Sequence, residues 1–250
     1  QPFFLVENKL NYIGKTKSNQ FAFNSYLRYQ SQPQEVCFSD GDSLMQNQQR
    51  DEKRFYTTND IQMAYYSGLS ELSLTAGFKL ETNRIRSSMN EVPEFLKDSV
   101  TSSQWNYLEA GVFVRPSYVF KGKGYNINLT VPLIWQKTDA GKQGSDKQSF
   151  HHFVWTPSLR FYWKFHHFWE FMATGSYKHS PTSYMNLNDT YYYKNRNLLQ
   201  RGIDGLGMDK QTQGSLNLYY RNPFHAFWSR LNMTYTQNKS DLISGYDFIG

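Results

Sequence analysis

The stretch Phe153–Phe165 reads FVWTPSLRFYWKF, and its two interleaved halves differ in kind. Every second residue from Phe153 gives Phe153, Trp155, Pro157, Leu159, Phe161, Trp163 and Phe165, whereas the residues between them are Val154, Thr156, Ser158, Arg160, Tyr162 and Lys164. On a β-strand successive side chains point to opposite faces, so this segment has one aromatic face and one that carries its charges. A strand this long, greasy on one side and basic on the other, belongs between an apolar medium and water.

The same two-residue period recurs along the chain. Leu72, Leu74, Ala76, Phe78 and Leu80 oppose Ser73, Thr75, Gly77, Lys79 and Glu81. Leu108, Ala110, Val112, Val114, Pro116, Tyr118 and Phe120 oppose Tyr107, Glu109, Gly111, Arg115 and Ser117. Further alternating runs cover 21–30, 125–136, 169–178 and 227–236. Met172 and Trp228 are apolar intruders on otherwise polar faces. Charges keep almost wholly to one face, the pattern of a strand with one wet side.

Short and long connections alternate. Tight links are expected at Gly14–Asn19, Ser67–Ser70, Lys121–Gly124, Phe165–Phe168 and Arg221–His225, where Gly, Asn, Pro and Ser suit sharp reversals. Between them, polar stretches at about 31–53, 83–103, 138–149 and 180–209 are expected as long loops. About ten strands of roughly 10 to 15 residues result, longer than the usual five or six of soluble sheets. Alternating strands, short turns on one side, long loops on the other and aromatic girdles predict an all-β fold, a transmembrane antiparallel up-and-down β-barrel. In hydrocarbon only a closed ladder satisfies the backbone of strands, and the polar faces then line a wet lumen.

Composition narrows the function. Aromatic residues make up 18% of the 250, yet hydrophobic residues are 39% and the mean hydropathy is −0.70. No apolar run approaches the ~20 residues of a membrane-crossing helix. The net charge of +6 is scattered, with no dense basic cluster, which argues against a nucleic-acid partner. The single cysteine, Cys37, allows neither an intrachain disulfide nor a cysteine metal site. The first residue is Gln1, with no signal segment, so the sequence reads as a mature form or a fragment.

Chemical motifs are weak. The pairs His151–His152 and His166–His167 are adjacent, so on a regular strand their rings point apart and cannot share a metal. The acidic Asp40–Asp42 run lacks the spacing of a full calcium site and reads as a solvated turn. No catalytic constellation, metal centre or cofactor is expected, and the protein is read as a non-enzyme. The lumen-facing charges are more informative. With the short links taken as periplasmic, Arg28, Lys79, Glu81, Glu109 and Lys178 fall in the outer half, and Arg115, Arg160 and Lys164 lie deeper. A wall of mixed charge suits a wet or plugged lumen that receives polar solutes. Tyr191, Tyr192 and Tyr193, in the longest loop, are candidates for stacking on a ligand.

The segments YWKFHHFWEFMATGSYKHSP (Tyr162–Pro181), NRNLLQRG (Asn195–Gly202), GSLNLYYRNPFHAFWSRLNMTYTQNKSD (Gly214–Asp241) and FLVENKLNYIGKTKSNQFAFNSYLRYQSQPQE (Phe4–Glu35) resemble the barrels of TonB-dependent outer-membrane receptors of the Bacteroidetes type. The resemblance is one of strand and turn pattern. It implies an energised importer in the bacterial outer membrane, with a 22-stranded barrel, an internal plug and a box gripped by TonB. Residues 1–250 then form a partial barrel, with plug and TonB box outside this sequence. The implied partners are outer-membrane lipid, TonB through an N-terminal region, a surface lipoprotein lid and a nutrient such as a glycan, peptide or iron chelate. The alternatives are a self-contained barrel of ten or twelve strands acting as a surface enzyme or adhesin, which requires the first strand to close on the last, and a passive porin.

Overall fold

The computed structural model describes residues 3–40, 44–90, 102–142, 148–181, 191–195, 198–201, 207–240 and 246–248. Its strands are β1 (Phe4–Lys15), β2 (Asn19–Asp40), β3 (Leu44–Ser67), β4 (Ser70–Asn90), β5 (Ser102–Lys121), β6 (Tyr125–Thr130), β7 (Leu133–Lys142), β8 (Gln148–Trp155), β9 (Ser158–His166), β10 (Trp169–Pro181), β11 (Tyr191–Asn195), β12 (Leu198–Arg201), β13 (Met208–Asn222), β14 (Phe227–Ser240) and β15 (Tyr246–Phe248). Twelve of them form one antiparallel sheet in the order β1-β2-β3-β4-β5-β6-β9-β10-β13-β14, with β7 and β8 continuing the arms of β6 and β9. Strands β11, β12 and β15 form a separate small sheet.

Ten arms in five hairpins result, and the turns fall at the five tight links expected from sequence. Gly68 and Gly124 take positive φ values of 56° and 83° at two of them, a conformation open to glycine at little cost. The fifth turn is a 3-10 segment, Pro223–His225, in which the Asn222 side chain accepts from the Phe224 backbone N–H.

Strand lengths depart from expectation. Strands β2 to β5 run 20 to 24 residues, and β2 and β3 stay paired from Asn19↔Tyr65 to Asp40↔Leu44. The polar stretch 31–53 is therefore largely the upper ends of β2 and β3, and the described parts of 83–103 and 138–149 likewise belong to β4, β5, β7 and β8; of 180–209, residues 180–181 and 208–209 extend β10 and β13, whereas Tyr191–Asn195 and Leu198–Arg201 lie in the separate sheet. Beyond the bilayer both faces meet polar surroundings, so the hydrophobic period fades while the backbone ladder continues.

The sheet is curved with its polar face inside. Buried residues include Asn83, Gln136, Asn217 and Thr138, the last with no exposed surface, while Leu72, Leu74, Phe78, Val112, Trp135 and Trp163 stand on the other face with large exposed surfaces. This reverses the arrangement of a water-soluble sheet and matches a wall with lipid outside. On the concave side Phe113 lies so close over Gly77 that a Cβ there would sit 2.8 Å from its ring and 2.3 Å from the Asn59 carbonyl oxygen. Higher up, Ile85, Trp105, Tyr107 and Ala140 form a small buried apolar cluster.

Two further features position the wall. The hydrogen-bonded row that begins at Asn19, the first residue of β2, passes through Tyr65, Leu72, Tyr118, Leu129, Leu159 and Gly175 to Gly214. Gly214 is eight residues above Asn222, the last residue of β13. A rise of about eight residues across about seven strand spacings tilts the strands by roughly 40° when the turns share one level, the inclination of a barrel wall. Second, Pro116, Pro132 and Pro157 stand nearly level on neighbouring arms. Their carbonyls accept from Val131, Thr156 and Tyr177, and none can return a bond, since proline has no N–H. Among the described residues β1 pairs with β2 alone and β14 with β13 alone.

Candidate functional site

The outer half of the concave face gathers the charges that alternation assigned to it. Arg28 on β2, Tyr56 on β3, Glu81 on β4 and Glu109 on β5 lie in one cross-strand row. Glu81 and Glu109 are therefore directly opposed carboxylates, an arrangement that repels unless each has a cation of its own. Each has one. Arg54 Nε lies 2.8 Å from Glu81 Oε1, with the two side chains 27% and 13% exposed. This is a charge contact without aligned hydrogen-bond geometry, since the same two atoms lack a geometric hydrogen bond. Lys79 Nζ donates to Glu109 Oε1.

The network extends up and across the wall. The Tyr107 hydroxyl donates to Glu109 Oε2 at 2.6 Å, Asn83 Nδ2 donates to Glu52 Oε1 at 2.8 Å, and Arg50 lies 3.6 Å from Glu52. Below it, Asn11 donates to Asn24 at 2.5 Å and Asn24 to Asp60 at 2.7 Å; within it, Arg28 donates up its own strand to Gln30 at 2.7 Å. The first ten or so residues above each turn cross the bilayer at this tilt. Tyr107, fourteen residues before Lys121, lies above that level. Burial, reinforced by the Glu109 charge, pushes its phenol well above the usual range, so it stays protonated and holds its hydrogen bond to the carboxylate. The arrangement presents fixed charges of both signs and many amides to a wet cavity, which suits retention of a polar solute without covalent change.

The structure brings Arg28, Lys79, Glu81 and Glu109 together and leaves the other expected residues apart. Arg115 lies lower on β5, its guanidinium 5.6 Å from the Phe113 ring centre. Lys178 on β10 is exposed and, through Thr156 and Pro132, shares the level of Arg115 some three strand spacings away, about 14 Å. Arg160 on β9 donates to Met172 Sδ at 3.4 Å. Lys164 faces Glu170 at 3.8 Å near the turn. Tyr191, Tyr192 and Tyr193 belong to β11, where their backbones pair with Arg201, Gln200 and Leu199 in the small sheet; their side chains lie outside the described residues, as do Gly41 and Asp42 of the acidic run. The adjacent histidines diverge as expected on β8: His152 faces Thr138 Oγ1 at 3.1 Å on the concave side, and His151 is exposed.

Sequence reasoning missed Arg50, Glu52 and Arg54. They stand at every second position on the concave face of β3, and their alternation with Asp51 and Lys53 hid the period, because both faces there are charged.

A polar concave wall of tilted antiparallel strands with an aromatic outer face is the fold of an outer-membrane β-barrel. No family model and no curated protein matches the chain. Among solved structures it is similar to the ferric yersiniabactin uptake receptor FyuA from Yersinia pestis, with a TM-score of 0.57 and 10% identity over 96% of this chain and 43% of that one. It is similar to the copper transporter OprC, with a TM-score of 0.61 and 12% identity over 88% of this chain and 37% of that one. The ferric citrate transporter FecA in its unliganded form gives 0.55 at 8% identity, over 95% and 43%. The chain thus spans less than half the length of each.

Proposed function

We propose that this chain is part of the wall of an outer-membrane importer driven through TonB. In this reading a nutrient such as a glycan, peptide or iron chelate is captured by the extracellular ends of the strands and the outer lumenal wall. It then passes inward when a plug carried elsewhere in the protein moves. Arg28, Lys79, Glu81 and Glu109 contribute the capture surface, Arg115, Arg160 and Lys178 line the path below, and Tyr191–Tyr193 contribute from the loop side. The partners are outer-membrane lipid, TonB and a surface lipoprotein lid, and no bond is made or broken in the substrate.

The observation that carries the reading is that, among the described residues, β1 and β14 do not pair with each other. Edges of β1 and β14 left bare in hydrocarbon would strand backbone groups at several kcal/mol each, so in this reading further strands complete the ring. A wall wider than ten arms encloses space for a plug, which a small closed barrel lacks. The test is uptake in cells. Deleting the gene is expected to abolish growth on one nutrient, and removing TonB function is expected to reproduce that defect. Growth that depends on the gene and is indifferent to TonB would replace the importer with a passive pore.

A further inference from the structure

Above its apolar band the outward face changes character on β2 to β5. The row Tyr29–Phe55–Thr82–Leu108 is followed by Ser31–Lys53–Arg84–Asn106 and then by Pro33–Asp51–Arg86–Gln104. Lys53 and Arg84 are directly opposed like charges, both exposed, and no ion pair or hydrogen bond engages either among the described residues. Such a pair is destabilising in isolation. Arg86 extends the cluster, with its Nε donating to Gln104 at 2.8 Å. Asp51, across from Arg86, and Glu35, in the row beyond, are the nearby carboxylates. By contrast Lys137, the outward cation on β7, is already held by Asp139 at 3.0 Å.

Height decides what meets this cluster. Lys53 and Arg84 each stand fourteen residues from the Ser67–Ser70 turn, which at a 40° tilt is roughly 36 Å along the bilayer normal. An apolar band of about 25 Å has ended by then and the headgroup layer has begun. Directly beneath, Phe55 and Leu108 step down to Leu80, which stands ten residues from its turn at the upper edge of that band, so an apolar strip joins the cluster to the acyl region. We propose that Lys53, Arg84 and Arg86 bind the phosphate-bearing headgroup of an outer-leaflet lipid whose acyl chains lie on that strip. Lys53 and Arg84, unpaired among the described residues, supply the charge complement, and the continuity of strip and cluster on one face selects an amphiphile over a soluble anion.

The test is native mass spectrometry of the full-length protein released from detergent. It is titrated with phosphatidylglycerol, with phosphatidylcholine of the same chains, and with glycerol phosphate. Phosphatidylglycerol is expected to be retained in preference to the other two. Retention is expected to weaken roughly fivefold for each charge removed in Lys53→Gln and Arg84→Gln, and to strengthen in Asp51→Asn. Equal retention of phosphatidylglycerol by wild type and the Lys53→Gln/Arg84→Gln double variant overturns the site. Retention of glycerol phosphate as strong as that of the lipid overturns the lipid assignment. Should the double variant fail to fold, the opposite shifts expected of Arg84→Gln and Asp51→Asn test the same point.

Discussion

Glu81 and Glu109 face each other across β4 and β5, each with its own cation, so the wall holds two coupled ion pairs rather than four independent charges. Glu109→Gln keeps the shape and removes one charge, leaving Lys79 half-buried beside an amide. We expect a loss of about 1–3 kcal/mol in denaturant unfolding of the detergent-solubilised protein. A Lys79→Met/Glu109→Leu double variant is expected to recover part of that loss, and a neutral Glu109→Gln would mean that water screens the pair. His152, also above the bilayer, is pushed below its ordinary value, first by burial and further by His179, His151 and Lys79, against an opposing pull from Glu109. A histidine held neutral in the fold stabilises it above the unfolded value near 6.5, and that contribution is lost as pH falls toward the lower folded value. Protection factors of amides in β7 and β8, taken against the intrinsic exchange rate at each pH, should therefore fall below about pH 6.5, and His152→Gln should flatten the dependence; an unchanged slope in the variant would point to another group. At this scale legibility followed alternation. Arg28 and Glu109 were readable because their neighbours along the strand are apolar, and Glu81 because it ends the alternating run from Leu72, whereas Glu52 and Arg54 adjoin the charged Asp51 and Lys53 on the other face.

The five turns were legible because each has a local cause in Gly, Asn, Pro or Ser, but the strand ends were not. Strand β3 runs on for a dozen residues beyond the point at which its outward face ceases to be apolar, since pairing needs only backbone and a partner. The level prolines were individually visible, and their alignment was not, because it depends on registers among four arms. Each leaves one ladder bond unreturned where a central strand would normally have two, and just above them β9 gives way to β8, which pairs with β7 but not with β10 among the described residues. Pro132→Thr restores an N–H toward the Thr156 carbonyl. An increase of about 0.5–1.5 kcal/mol in stability, with slower exchange in β8, is expected. A loss of stability instead would show that the sheet needs the bend that proline imposes there.

For the molecule as a whole, the inside-out distribution of side chains made the barrel readable from sequence, since lipid outside and water inside leave their mark on every bilayer-crossing segment. Closure left no such mark. Whether the first arm meets the last depends on curvature and stagger, which no single strand records; among the described residues β1 and β14 do not pair with each other. The stagger that tilts the wall also constrains whatever joins it. Rows climb about one residue per arm, so an incoming strand has to begin about one residue out of step with β14, like the next thread of a screw. A strand offered level with β14 would set N–H against N–H and turn its apolar residues toward the water. Growth of the wall from this edge is therefore selective for register before any side chain is compared, and the same pitch that inclines the strands acts as a gauge against the wrong neighbour.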